Sequence, residues 1–208
     1  IQPDLSSGYT LDDNARALLV STMHYEKCKE FKQLNLIRTY LDYIKYVQAE
    51  GGKLYNYVDK DRKIDYENWS EDAHGRALWA LGYLISSESM PEDFKREAED
   101  IFLKGLNVET DSPRAISFII TGLYHYNSSR KSEKIKKNIG KLASYLVSLY
   151  KSNAHPEWKW FESYLTYANS KLPESLFYAY LTTGEKKYLD VAQESLDFLI
   201  SKTFNKTY

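Results

Sequence analysis

Apolar residues recur along this chain at helical spacing, in two patterns that alternate. In four segments they fall every three or four positions with Lys and Glu between them, as in a helix with one wet side. These segments predict amphipathic helices over residues 33–48, 91–106, 132–150 and 187–202. Four other segments are apolar nearly all round and predict buried helices over residues 13–24, 71–85, 112–126 and 171–182.

The alternation predicts two layers of helices. A helix that is apolar on every side must be covered on every side, so the buried helices form an inner layer and the amphipathic helices an outer one. Hairpins that pack side by side in this way are typical of helical repeats and (α/α) toroids. We predict a single all-α domain over residues 1–208, an α-hairpin array of the (α/α) toroid type with about eight helices in four hairpins.

Two long connections, residues 49–70 and 151–170, each lead from an outer helix into an inner one. In stacked hairpins the inner helices run parallel, so these loops and the N-termini of the inner helices share one end of the array. Long loops on a rigid scaffold often carry function. We therefore expect the functional site at this end.

Composition narrows the class of partner. The net charge of −1 argues against nucleic acid, because phosphate binding needs a basic surface, and no apolar run approaches the length of a membrane span. The single cysteine, Cys28, allows no internal disulfide and favours a cytoplasmic location, or a periplasmic one if a signal peptide was removed. The histidine spacing predicts no metal site, and no cofactor-binding motif occurs.

Each inner helix begins near a polar cluster in which an acid or amide is followed by a basic residue. One interpretation is structural: such residues cap helices and favour the positive end of the helix dipole, and the arginines pair with carboxylates of the neighbouring hairpin. In particular, Thr10 and Asp13 resemble a capping box. The other interpretation is chemical, because a cap needs only one acid and two of these clusters have two.

Paired carboxylates at the open end of a toroid could act as general acid and base across a glycosidic bond. We predict Asp13 and Asp72 as this pair, with Glu71, Asp12 and Glu162 as alternatives. The loops are also rich in aromatic residues, whose faces suit sugar rings. The predicted substrate-binding residues are Arg16, His74, Arg76, Arg114 and Asn169 for polar contacts, and Tyr57, Trp69, Trp158 and Trp160 for stacking.

Four ordered motifs resemble the signature of a bacterial glycosidase-related family. They are residues 8–18 (GYTLDDNARAL), 70–82 (SEDAHGRALWALG), 112–115 (SPRA) and 160–169 (WFESYLTYAN). The resemblance implies an (α/α) six-hairpin toroid that acts on glycans, in a family whose members occur alone or fused to glycosyltransferases. Such a toroid has more hairpins than the four predicted here. We therefore expect an incomplete toroid, part of a longer chain, with open edges for self-association or missing segments to cover.

Three functions follow from these residues, all with an oligosaccharide or glycan as the partner. The leading hypothesis is a glycoside hydrolase-like enzyme that cleaves an oligosaccharide by acid/base catalysis. The second is a non-catalytic glycan-binding or scaffold domain associated with a glycosyltransferase. The third is a sugar epimerase or isomerase, which would need a pair of histidines, and only His74 lies in a suitable motif.

Overall fold

The computed structural model describes residues 5–204, and within that range it contains eight α-helices. The inner helices are α1 (Leu11–Cys28), α3 (Glu71–Ser86), α5 (Pro113–Ser129) and α7 (Lys171–Thr183). The outer helices are α2 (Phe31–Tyr46), α4 (Glu92–Gly105), α6 (Glu133–Asn153) and α8 (Lys186–Thr203). The predicted helices are therefore confirmed, with ends that differ by a few residues.

The two predicted layers are also present. Helix α3 packs on both α1 and α5, and α5 packs on α7, while each outer helix packs on its hairpin partner. The buried side chains form one continuous cluster between the layers. The chain is an all-α hairpin array that resembles an incomplete toroid. No helix in residues 5–204 has the length and apolar character needed to cross a bilayer.

Side-chain caps begin three of the inner helices. Thr10, Ser70 and Ser112 each accept a hydrogen bond from the backbone N–H three residues later, which confirms the structural role of these positions. The capping box predicted at Thr10 is only half formed. The Asp13 carboxylate accepts a hydrogen bond from the Thr10 hydroxyl at 2.6 Å instead of one from the backbone N–H of Thr10.

The chain before α1 and the first long loop form a small sheet that the sequence did not predict. Its strands are β1 (Tyr9–Thr10), β2 (Tyr57–Val58) and β3 (Ile64–Asp65), which pair antiparallel in the order β1-β2-β3. Strands of two residues are too short to show an alternating pattern. The sheet fixes the first long loop beside the N-terminus of α1, at the end where function was expected.

His74 is a structural residue, which corrects its prediction as a substrate ligand. Its side chain is 0% exposed, and Nδ1 accepts the N–H of Leu54 at 3.3 Å while Nε2 donates to the carbonyl of Gly105 at 3.1 Å. Burial lowers the pKa of His74 to about 4, so the imidazole is neutral. It joins the first long loop to the end of α4.

Candidate functional site

The N-termini of the inner helices are joined by bonds between charged and polar side chains, here called the N-terminal network. Its members are Asp12, Asp72, Arg76, Ser112, Arg114, Glu162, Tyr167 and Asn169. The network begins on α1, where the Asp12 carboxylate contacts two guanidinium groups. Arg16, one turn later, lies 2.6 Å away, and Arg76 reaches across from α3. Asp12 therefore ties α1 to α3.

Asp72 lies in the middle of the network and uses both carboxylate oxygens. One accepts a hydrogen bond from the hydroxyl of Ser112, the residue before α5, at 2.8 Å, and the other accepts one from the hydroxyl of Tyr167 in the second long loop. Burial, followed by the hydrogen bond to Asp72, raises the pKa of Tyr167 to about 12. The phenol is therefore a stable donor at neutral pH. Asp72 links α3 to α5 and to the loop.

Arg114 anchors the second long loop to α5. Its buried guanidinium donates to the Glu162 carboxylate at 3.0 Å, the Tyr167 carbonyl at 2.7 Å and the Asn169 side-chain oxygen at 3.2 Å. Asn169 in turn holds the turn at Thr166 through two further hydrogen bonds. Glu162, Arg114 and Asn169 thus shape the loop that carries Tyr167, as the structural interpretation of the arginines expected.

The other predicted acids lie apart from Asp72 or serve as caps. Glu71 accepts the hydroxyl of Thr110 at 2.6 Å and the N–H of Ser112 at 2.8 Å, which fixes the start of α5. Asp13 has a side chain that is 74% exposed and lies 3.7 Å from Arg16. Burial, and then the charge of Asp13, raises the pKa of Tyr43 on α2. Asp13 therefore faces α2, and no contact joins it to Asp72.

The predicted stacking residues have different surroundings. Trp160 is 0% exposed and packs against Phe161 and Phe198, so the structure corrects its prediction as a sugar-stacking residue. Trp158 is half-buried, packs edge-on against Phe198 and donates Nε1–H to the Glu162 carbonyl at 2.7 Å. Both tryptophans therefore support the second long loop.

Tyr57 and Trp69 are half-buried. Tyr57 lies in β2 and its hydroxyl donates to the carbonyl of Ser7 at 3.2 Å. The ammonium of Lys53 lies over the ring of Trp69, 4.1 Å from the ring centroid. These two rings remain the predicted stacking residues that border the N-terminal end.

Below the network lies a set of side chains that the sequence did not single out, here called the inner face. Residues Asp72, Arg76, Trp79 and Tyr83 follow each other at helical spacing on α3, opposite His74 and Leu78, which contact α4. Trp79 stacks on Phe118 with ring centroids 5.9 Å apart. The inner face comprises Trp79, Tyr83, Phe118, Tyr124, His125, Lys171 and Tyr178.

His125 is the histidine on this face. Its ring lies between three tyrosines, with centroids 5.0 Å from Tyr83, 5.5 Å from Tyr124 and 5.9 Å from Tyr178. Burial lowers the pKa of His125 to about 4, so it is neutral at physiological pH. Neither ring nitrogen hydrogen-bonds to another residue in the described part of the chain. The imidazole therefore keeps a nitrogen lone pair that none of the described residues uses.

The inner face was missed because α3 and α5 are apolar nearly all round. In such a helix, the sequence does not distinguish the side that packs on neighbouring helices from the side that carries the inner face. The available signal was the spacing of Arg114, Phe118 and His125, which is the same as the spacing of Asp72, Arg76 and Tyr83. Among residues 5–204, no three His, Cys, Asp or Glu side chains are arranged to hold a metal ion.

No protein-family model and no curated protein matches this sequence. Solved structures match its fold. Cellobiose 2-epimerase from Bacillus thermoamylovorans B4167 gives a TM-score of 0.73 at 13% identity, over 99% of this chain and 64% of that one. D-mannose isomerase gives a TM-score of 0.67 at 12% identity, over 96% of this chain and 62% of that one. A sugar epimerase from a ruminal bacterium gives a TM-score of 0.59 at 11% identity, over 100% of this chain and 79% of that one. The chain thus spans less than two thirds of the first two, with which it shares the (α/α) toroid fold.

Proposed function

We propose that this chain forms the saccharide-binding part of a sugar epimerase or isomerase. The observation that carries the proposal is the state of the carboxylates at the N-terminal end. Asp12 is paired with two arginines, Asp72 accepts two hydroxyls, and Glu71 holds the start of α5. Carboxylates bonded in this way are held in place and are not free to take a proton from a substrate, which leaves the proton transfer to another residue.

His125 is the group that we assign to that step. A base removes the proton from the carbon next to the carbonyl of the open-chain sugar. In isomerisation the same group can return that proton to the adjacent carbon, whereas epimerisation also needs a second proton donor on the opposite face of the same carbon. Because the described ring contacts of His125 are with tyrosines and not with a second histidine, His125 alone fits isomerisation better. A neutral imidazole accepts such a proton, and the surrounding tyrosines can donate hydrogen bonds to the oxygen that becomes negatively charged. On α5, His125 lies eleven residues after Arg114, about 16 Å along the helix, so the sugar must extend from the N-terminal network along the inner face for its reducing end to reach the imidazole.

The structural neighbours support the same class of reaction. Those compared above are two sugar epimerases and an isomerase, and the whole of this chain follows their fold. They also favour a carbohydrate as the substrate, as the family resemblance does. The proposal therefore replaces acid/base cleavage with proton transfer as the leading function.

Glycoside hydrolysis remains the second candidate, and Asp13 is the observation in its favour. Its carboxylate is exposed, whereas the other predicted catalytic acids are half-buried, and it could serve as an acid or a base. Hydrolysis also requires a second carboxylate on the other side of the glycosidic bond. Asp72 is the predicted partner, and cleavage would require it to release Ser112 or Tyr167.

A single isotope experiment separates the three functions. The intact protein is incubated with cellobiose, mannose or β-1,4-mannobiose in D₂O, and the sugars are followed by NMR. The proposal predicts deuterium at C1 or C2 of the reducing sugar together with the epimer or ketose. Hydrolysis would release monosaccharides that keep their carbon-bound hydrogens. Binding without either change would support the glycan-binding domain instead.

Two sets of variants assign the residues. His125→Asn is expected to slow deuterium incorporation by at least about 100-fold, as for loss of a general base. His155→Asn, in an exposed loop, is the matched control and should leave the rate unchanged. Asp13→Asn should also retain activity. If Asp13→Asn abolishes turnover while His125→Asn does not, the assignment of His125 is wrong and the hydrolase hypothesis regains support.

A further inference from the structure

A cavity lies at the N-terminal end of the inner helices, between α2 and the small sheet. Its volume is about 560 Å³, within the range of roughly 300–1,000 Å³ for small-molecule sites. We call it the tyrosine pocket, after Tyr9, Tyr40, Tyr43 and Tyr46, which line it together with Asp42 and Arg62. It is separate from the inner face.

The tyrosines come from two elements that the fold brings together. Tyr40, Tyr43 and Tyr46 repeat every third residue on α2, away from the stripe of Leu34, Ile37, Leu41 and Ile44 that enters the core. Tyr9 joins them from β1. Tyr40 and Tyr43 are half-buried and pack partly against the core, whereas Tyr9 and Tyr46 are exposed. The exposed rings of the group contribute little to packing the two layers and can contact a ligand.

Hydrogen bonds hold two of these rings in place. The hydroxyl of Tyr43 donates to the carbonyl of Tyr9 at 2.9 Å, and that of Tyr46 donates to the carbonyl of Arg62 at 2.6 Å. Rings that are fixed before a ligand arrives lose little freedom when it binds. Arg62 itself has a positive φ of 65°, so the loop is held in a conformation that an arginine rarely adopts.

The polar groups around the pocket are available for a ligand. Within the described residues the guanidinium of Arg62 makes no ion pair, and the Asp42 carboxylate, which is exposed, has one contact, to Arg38 at 3.4 Å. Aromatic faces combined with a carboxylate and a guanidinium fit the apolar faces and hydroxyl groups of a hexose. Because the charges are of opposite sign, a neutral sugar fits better than an anion or a cation.

The position of the pocket connects it with the proposed active site. Asn14 lines the pocket, while Asp12, two residues earlier in the first turn of α1, belongs to the N-terminal network. The two sites are thus separated by the width of one helix, about 10 Å. We propose that the tyrosine pocket binds a distal hexose unit of a neutral oligosaccharide that passes over the N-terminal network and extends its reducing end along the inner face toward His125. This proposal rests on the saccharide substrate proposed above.

Calorimetric titration with β-1,4-linked gluco- and manno-disaccharides and tetrasaccharides tests the pocket. We expect the intact protein to bind one of the tetrasaccharides about tenfold more tightly than its disaccharide. Tyr46→Ala and Arg62→Gln should each remove this difference and leave disaccharide binding within about twofold. Tyr145→Ala is the matched control, because Tyr145 also lies on an outer helix and donates to a loop carbonyl, that of Asp111. It should leave both affinities unchanged.

The outcomes separate this proposal from the proposed function. If the tetrasaccharide binds no more tightly than the disaccharide, or if Tyr46→Ala and Arg62→Gln keep the difference, the pocket is not a subsite, and deuterium incorporation still decides the activity. If the two variants remove the difference but the protein incorporates no deuterium, the pocket stands and the proposed activity fails. An equal loss for Tyr145→Ala would also overturn the pocket. Circular dichroism of each variant shows whether it has folded.

Discussion

At the scale of single residues, the charged groups at the N-terminal end act in pairs and triads. Arg76 holds Asp12 and lies over the ring of Phe118, with 4.6 Å from the guanidinium carbon to the ring centroid. Arg114 holds Glu162 and Asn169. A buried guanidinium left without its carboxylate, or the reverse, carries a large desolvation cost. These residues are therefore expected to affect stability as well as any binding.

Replacement of Arg114 tests this expectation. Arg114→Ala should lower the free energy of unfolding by roughly 3 kcal/mol, because it leaves the Glu162 carboxylate and the Tyr167 carbonyl without their buried donor. Arg130→Ala is the control, since Arg130 is more exposed and its ion pair with the exposed Glu92 is screened by solvent, so its loss should change the free energy of unfolding little. Urea denaturation measures both. An equal loss in the free energy of unfolding for the two variants would show that the Arg114 contacts stabilise the fold no more than an exposed ion pair does.

The neutral histidines predict how stability depends on pH. The pKa values of His74 and His125 are lowered by burial to about 4 in the folded chain, whereas an unfolded chain has about 6.5. Between these values the unfolded state binds more protons, so the free energy of unfolding falls as the pH falls from about 6.5 toward 4. The slope is up to about 1.4 kcal/mol per pH unit for each imidazole.

Urea denaturation between pH 7.5 and 5 measures this slope, and the variant His125→Asn should reduce it by the contribution of one imidazole. NMR of the imidazole protons provides an independent check, in which neither ring of the folded protein should titrate above about pH 5. Titration of either ring near pH 6.5 would contradict the burial that the structure shows.

At the scale of elements, glycines set the distance between the central inner helices. A Cβ added to Gly122 would lie 2.5 Å from the carbonyl oxygen of Leu78, and one added to Gly82 would overlap the carbonyl of Gly122. Helices α3 and α5 therefore touch through their backbones. Gly75 makes the same approach to Ala115 near the N-terminal network. The close contact fixes the relative positions of Asp72 on α3 and Ser112 before α5.

Gly82→Ala tests this contact. The added methyl must push α3 and α5 apart, so we expect a loss of about 1–3 kcal/mol or more in the free energy of unfolding. Gly140→Ala on α6 is the matched control, because its Cβ would meet only the Tyr188 hydroxyl at 3.7 Å. It should be neutral or stabilise the protein by up to about 1 kcal/mol through helix propensity. Similar effects at both positions would contradict the close approach.

At the scale of the whole molecule, the alternation of apolar and amphipathic helices was enough to predict both layers and the end that carries the long loops. Periodicity reports burial, and the layers depend on burial alone. The site was only partly predictable. Charged clusters identified Asp12, Asp72 and Arg114, but the roles of His74 and Trp160 depend on partners distant in sequence, such as Gly105 and Phe198.

The same limit explains the inner face and the tyrosine pocket. Trp79 and His125 lie within helices that appear uniformly apolar, so their common orientation becomes visible only when α3, α5 and α7 are placed together. The pocket needs β1 beside α2, and that contact depends on a sheet of two-residue strands. In both cases the relevant information is the relative position of elements, which local sequence patterns do not contain.

The central claim is that a saccharide binds at the N-terminal end of the inner helices. Mapping backbone amide shifts by NMR while the intact protein is titrated with cellobiose or β-1,4-mannobiose tests it most directly. We predict that the largest changes fall in residues 10–16, 70–76, 110–114 and 162–169, with smaller changes along the inner face. Changes confined to the outer helices, or to the C-terminal ends of the inner helices, would contradict this account.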